Sequence, residues 1–194
     1  MDYALIWAIL ISVAVFAYVA LDGFDLGIAL LFPWFKKEED RDVMMNTVAP
    51  VWDGNETWLV LGGGGLLAVF PLAYSVLMPA LYMPVIAMLL GLIFRGVAFE
   101  YRFKTKRAKG IWDLSFIVGS LIAALSQGIM LGAMLQGIQV TDRAYSGGWF
   151  DWLTPFSFFC GVAVVIGYMM LGSTWLVMKT KGDLQRQSYR AGWY

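Results

Sequence analysis

Six ionisable side chains stand inside or beside long apolar runs of this sequence: Asp22 and Asp25, Asp53 and Glu56, Arg95 and Glu100. A charge at the centre of a hydrocarbon layer costs roughly 2.5–3.5 kcal/mol on insertion scales, so each needs a partner, a water-filled cavity or a shallow position. Carboxylates held in this way have two uses. They pass protons along a polar route open to one side of the membrane, or they pair with a cation and lock helices together. Arg95 is the one cation of the six, and it can neutralise one or two carboxylates. On residue type alone the two uses stand level.

Spacing sharpens the picture. Asp22 and Asp25 are three apart, as are Asp53 and Glu56, so each pair shares one helix face. Asp53 and Glu56 also fall in the first turn of their helix, where the macrodipole favours negative charge by about 0.3–1 kcal/mol. At 1.5 Å per residue, Asp22 lies roughly 27 Å along a helix that enters near Ala4, and Arg95 roughly 28 Å along one that starts near Val76. With successive helices antiparallel, all six groups converge on one face of the membrane.

The elements that must position them are apolar runs at about Ala4 to Phe35, Glu56 to Tyr74, Val76 to Tyr101, Leu114 to Ile138 and Phe156 to Lys179. Each is long enough for a helix to cross a core about 30 Å thick, and none alternates as a barrel strand would. The chain is 60% hydrophobic with a mean hydropathy of +0.68, which points to a bilayer as its solvent. The reading is an all-α, polytopic transmembrane bundle of about five helices, a single membrane domain over residues 1–194. Arg102, Lys104, Lys106, Arg107 and Lys109 follow the third run, and Lys179, Lys181, Arg186 and Arg190 follow the fifth. The positive-inside rule makes both segments cytoplasmic. The loop with Asp142, Arg143 and Asp151 among Tyr145, Trp149, Phe150 and Trp152 then lies at the outer face. The N-terminus is outside, the C-terminus cytoplasmic, and the mixed-charge loop Lys36 to Asp42 inside. Met1-Asp2-Tyr3 lacks the basic start of a cleavable signal peptide, so the first span is retained.

Several function classes drop out. Lys plus Arg equals Asp plus Glu, 14 each, leaving no basic footprint for nucleic acid. The absence of histidine removes the commonest haem and metal ligand and the usual general base, so no metal or haem is expected to be ligated here despite eleven methionines. Cys160, alone, reads as a small buried hydrophobe. Gly62 to Gly65 lack the Lys-Ser/Thr pair of a phosphate loop, and the acceptor-like Asn55-Glu56-Thr57 falls on the inner side. Gly62 to Gly65, Gly128 and Gly132, the latter two at GxxxG spacing, and Gly161, Gly167 and Gly172 read as helix contacts.

Three ordered strings carry a resemblance. Leu21-Asp22-Gly23-Phe24-Asp25-Leu26-Gly27, Ala49-Pro50-Val51-Trp52-Asp53-Gly54-Asn55-Glu56-Thr57-Trp58-Leu59 and Phe94-Arg95-Gly96-Val97-Ala98-Phe99-Glu100-Tyr101-Arg102 resemble the N-terminal signatures of cytochrome bd oxidase subunit II. The resemblance implies a subunit of a heterodimer in the cytoplasmic membrane of a prokaryote, which oxidises quinol and reduces dioxygen to water. It implies that haem b and haem d (or a second b) sit in the partner, subunit I. In some members subunit II also supplies a cytoplasmic proton route and holds a structural quinone. By matching motif, Asp25, Asp53 and Arg95 are assigned to the proton path or its support, with Asp22, Glu56 and Glu100 behind them. Family members are longer, so the chain reads as an N-terminal bundle without its C-terminal counterpart, and Ala191 to Tyr194 resemble the start of a sixth helix. The competing expectations are a scaffold whose acidic residues only lock helices and, further off, a small transporter working alone, which would call for inverted repeats and broken helices at mid-depth.

Overall fold

A computed structural model of the chain describes residues 2–105 and 107–192. It is built from eight α-helices among the described residues: α1 (Tyr3–Leu31), α2 (Glu38–Val48), α3 (Trp52–Val69), α4 (Pro71–Ala80), α5 (Tyr82–Arg102), α6 (Lys109–Gln136), α7 (Pro155–Lys179) and α8 (Gly182–Ala191). A 3-10 turn, Phe32–Trp34, follows α1, and a two-residue hairpin, β1 (Val140–Thr141) with β2 (Ala144–Tyr145), links α6 to α7. Helices α1, α5, α6 and α7 are long and apolar enough to cross a membrane. Helix α3 is less apolar because its first turns hold Asp53, Asn55 and Glu56.

Local sequence sets the ends. The Asp2 side chain accepts from the Ala4 and Leu5 amides and so caps α1. Thr154 and Ser157 form a capping box ahead of α7, with Pro155 in its first turn. Gly137, at φ 90°, ends α6 in a conformation that a Cβ would oppose.

Helix α1 is the centre of the bundle and packs on α3, α6 and α7, while α6 lies between α5 and α7. Its first half presents Leu5, Ile9 and Phe16 outward, whereas every residue from Asp22 to Phe32 is buried. Glycines allow this closeness. Gly91 and Gly119 face each other across α5 and α6, and a Cβ on either would sit 2.5 Å from the other's carbonyl oxygen. Gly128 and Gly132 let α6 lie against the Ser157–Gly161 stretch of α7, where Cys160 packs beside Gly132. Gly27 meets Gly172 in the same manner between α1 and α7. Gly63, Gly64 and Gly167 have nothing near a would-be Cβ, so the packing role expected for them is not met within this chain.

Several boundaries differ from expectation. The second run does not continue to Tyr74 but stops at Phe70. Pro71 offers no amide hydrogen and biases the residue before it away from helix. The third does not start at Val76 either: α4 ends at Ala80, with Pro79 inside it, and α5 starts at Tyr82. The segment expected as a loop from Lys36 to Asp42 enters helix α2, whose first turn carries Glu38, Glu39 and Asp40 where the macrodipole favours them. Ala191 closes α8 and does not open a helix, while Trp193, Tyr194 and the loop residue Lys106 lie outside the described residues.

Candidate functional site

Arg95, with no exposed surface, is the hub of a buried ion network. Its Nη1 donates to Asp22 Oδ1 at 2.6 Å and its Nη2 to Glu56 Oε1 at 2.7 Å, so α5 is tied to α1 and to α3 by one side chain. Asp22 is buried, whereas the Glu56 side chain keeps 26% of its surface exposed. Asp25 is buried next to them, and among the described residues its one hydrogen-bond partner is Asn55, whose Nδ2 donates to Asp25 Oδ2 at 2.8 Å. Among the described residues Asp22 Oδ2, Asp25 Oδ1 and Arg95 Nε have no hydrogen-bond partner. One guanidinium therefore faces three carboxyl groups. Asp25 is the one without a cation in contact.

Glu56 also lines an open groove of about 690 Å³ between α3 and α5, with Asp53 and Glu100 near it and Leu59, Leu92 and Ile93 along its length. Glu56, partly exposed, is the member of the network that lines this groove. The six residues picked from the sequence thus divide. Asp22, Asp25, Glu56 and Arg95 come together. Asp53 is exposed on the groove wall, and Glu100 is exposed and pairs with Lys104 at 2.9 Å, a turn further on. Three-residue spacing does not bring Asp53 inward, because it stands at the first turn of α3, where the chain has only just met α1.

A second network was missed. Arg102, fully buried, donates to Asp113 and to Asp42; Arg41 Nη1 donates to the other Asp113 oxygen at 3.0 Å; and Lys109 reaches Glu38 at 2.6 Å and Asp42 at 3.3 Å. It clamps α2 across the ends of α5 and α6. One signal for it was present: Arg102 follows Arg95 by seven residues, two turns along the same face of α5. Burial pushes the Asp42 carboxyl up, but the hydrogen bonds and charges of Arg102 and Lys109 prevail and hold it below the ordinary 3.8. A carboxylate depressed in the folded state contributes stability that is complete above its unfolded pKa and disappears as pH falls through the folded one. Protection of the α2 amides, corrected for the intrinsic pH dependence of exchange, is therefore expected to stay flat down to about pH 4, the ordinary carboxylate range, and to fall below it. In Asp42→Asn that loss of protection is expected to be largely absent.

The buried interior also holds a chain of neutral polar groups. Tyr168 OH donates to Gln127 Oε1 at 2.6 Å, and Gln127 Nε2 donates to Tyr18 OH at 2.9 Å. Tyr18 is one turn before Asp22 on the same face of α1. Gln127, an amide within the apolar run of α6, was the available signal.

Among the described residues no group of three His, Cys, Asp or Glu side chains is placed to hold a metal ion. The chain has no histidine, the commonest haem ligand.

Comparison with known proteins gives a consistent result. The family model described as "Cytochrome bd terminal oxidase subunit II" matches residues 3–194. The chain is 37% identical over 188 residues to a probable cytochrome oxidase subunit 2 of Haemophilus influenzae, covering 93% of this chain and 50% of that protein. It is 35% identical over 187 residues to subunit 2 of the cytochrome bd-I ubiquinol oxidase of Escherichia coli, covering 92% and 49%. It is 33% identical over 187 residues to subunit 2 of the cytochrome bd ubiquinol oxidase of Bacillus subtilis, covering 94% and 55%. The chain thus spans about half the length of the curated relatives it matches.

Proposed function

The chain belongs to the cytochrome bd terminal oxidase subunit II family, and on that premise we propose that it is a haem-free part of a membrane quinol oxidase whose carboxylates hand protons inward from the cytoplasmic face. In this reading it is the N-terminal bundle of a longer subunit in a prokaryotic cytoplasmic membrane. Its five crossings, α3 included, put the N-terminus outside and α2 and α8 on the cytoplasmic side. It pairs with subunit I, which holds haem b and haem d or a second haem b. The complex oxidises quinol and reduces dioxygen to water, and lipid and a structural quinone complete the assembly.

The observation that carries the proposal is the asymmetry of the Arg95 network. Asp22 and Glu56 each have a guanidinium nitrogen, while Asp25 has only the Asn55 amide. A buried carboxyl without a cation gains from holding a proton, and one next to a network whose Glu56 lines a groove can exchange it. Asp53 and Glu100 on the groove wall would collect protons at its mouth. The reading expects that in the assembled full-length oxidase Asp25→Asn lowers quinol-driven oxygen uptake by about a hundredfold or more, the low side of what a positioned proton-transfer group contributes. Asp53→Asn is expected to act in the same direction with a smaller effect. Unchanged turnover and cytoplasmic proton uptake in both would end the proton-route reading.

One observation favours a second reading, the scaffold. Arg95 and Arg102 are both fully buried and both bridge helices. If locking is all the charges do, the Asp25 substitution should lower complex yield while the surviving enzyme keeps its specific activity.

A further inference from the structure

The loop between α6 and α7, at the end of the bundle away from α2 and α8, is built around one carboxylate. Asp142 and Arg143, at φ 49° and 63°, make a tight two-residue turn, and Tyr145 pairs with Val140 across the hairpin it closes. Beyond the hairpin the chain folds back on Asp151. The Gly148 amide donates to Asp151 Oδ2 at 2.7 Å, and the Tyr145 hydroxyl lies 2.6 Å from the Gly148 carbonyl oxygen and 3.2 Å from the same Asp151 oxygen. A Cβ on Gly147 would overlap that oxygen, so only glycine lets the turn close this tightly. Trp152 Nε1 donates to the Trp149 carbonyl oxygen at 2.8 Å and holds the far side of the turn. Asp151 Oδ2 is thus engaged twice, whereas Oδ1 accepts no hydrogen bond among the described residues.

Two cavities share the Tyr145 side chain. A recess of about 240 Å³ is lined by Asp151, Trp152 and Thr154, and an open cleft of about 510 Å³ by Met78, Pro79, Tyr82 and Trp149. We propose that together they bind a phospholipid with an ammonium headgroup, the amine in the recess against Asp151 and the glycerol and upper acyl carbons in the cleft. Charge selects the headgroup. Neither cavity has Lys or Arg in its lining, so an anionic headgroup would meet a carboxylate with no cation to offset it. An ammonium gains a charge-assisted hydrogen bond to Oδ1 and the attraction of the Tyr145 and Trp152 rings. Position selects a lipid over a soluble amine. Trp149 is 78% exposed and its neighbour Phe150 69%, as befits rings at a membrane surface, and the apolar wall of Met78 and Pro79 offers a water-soluble amine nothing. The site is independent of the proton-route reading, whose carboxylates lie nearer the opposite end of the bundle.

The test is native mass spectrometry of the full-length protein, purified from membranes in detergent, delipidated, and offered equal amounts of dioleoyl phosphatidylethanolamine, its N-acetylated form and dioleoyl phosphatidylglycerol. The parent is expected to retain phosphatidylethanolamine about tenfold better than either of the others, the low side of what a hydrogen bond to a charged group contributes. Asp151→Asn should erase that preference while keeping an acceptor for the Gly148 amide, so that the loop itself is preserved. If that variant does not assemble, the comparison of the free amine with its N-acetylated form on the parent carries the test, because acetylation removes the headgroup's positive charge. Equal retention of all three lipids, or a preference that persists in Asp151→Asn, would overturn the assignment. Displacement of phosphatidylethanolamine by an equimolar amount of free ethanolamine would overturn the lipid as occupant.

Discussion

Arg95→Met is expected to cost about 3–5 kcal/mol of stability, the range seen when one partner of a buried ion pair is removed. The reason lies in what stays behind. Met fills much of the volume, so the loss is not a cavity; it is two carboxylates, Asp22 and Glu56, left facing each other in the bundle without the guanidinium that now separates them. Helix α3 suffers most, because its firm packing is on α1, while on its other side a groove divides it from α5. Thermal unfolding in detergent, followed through the fluorescence of Trp52 and Trp58 in α3, is the measurement. Adding Asp22→Asn and Glu56→Gln to Arg95→Met should recover a large part of the loss, since removing all the charges spares the bundle an uncompensated one. A triple variant no more stable than the single one would show that the guanidinium acts through shape and not through charge.

Gly27→Ala is expected to be nearly as damaging although it adds a single methyl group. At that position a Cβ would overlap the backbone carbonyl of Tyr168, and the opposing residue is Gly172, itself in contact with the α1 backbone. Backbone cannot rotate aside as a side chain can, so α1 and α7 would have to move apart along a contact that also seats Asp25 and Tyr168. A cost of about 3 kcal/mol, the upper part of the usual range for overpacking, is the expected outcome. Gly64→Ala is the matched control. It lies in α3 with nothing near its would-be Cβ, and helix propensity alone predicts a gain of up to about 1 kcal/mol. Unfolding midpoints of the two variants, measured together, should move in opposite directions.

The convergence of Asp22, Glu56 and Arg95 was legible because it follows from three arithmetic facts: apolar run length, rise per residue and alternating helix direction. The breaks at Phe70 and Leu81 were harder to see. Composition stays apolar across them, and only Pro71, Pro79 and Pro84 mark where backbone amides are missing. Helix α2 is illegible in the sequence because it is short and charged, and what holds it is tertiary, the contact of Arg41 and Asp42 with Asp113 and Arg102. Asp53 shows the limit of spacing arguments. It shares a helix face with Glu56, yet one turn at a helix end separates a residue inside the bundle from one on its rim.

The depth of Asp25 has an electrical consequence. It precedes the end of α1 at Leu31 by six residues, or about 9 Å at 1.5 Å per residue, which is roughly a third of a core about 30 Å thick. A unit charge crossing the whole membrane works against about 2.3 kcal/mol per 100 mV, so a proton that enters from the near side and stops at Asp25 feels only about 0.7 kcal/mol of it. In the proton-route reading, loading this carboxyl therefore carries about a third of the voltage dependence of a full charge crossing, and charge movements beyond it carry the rest.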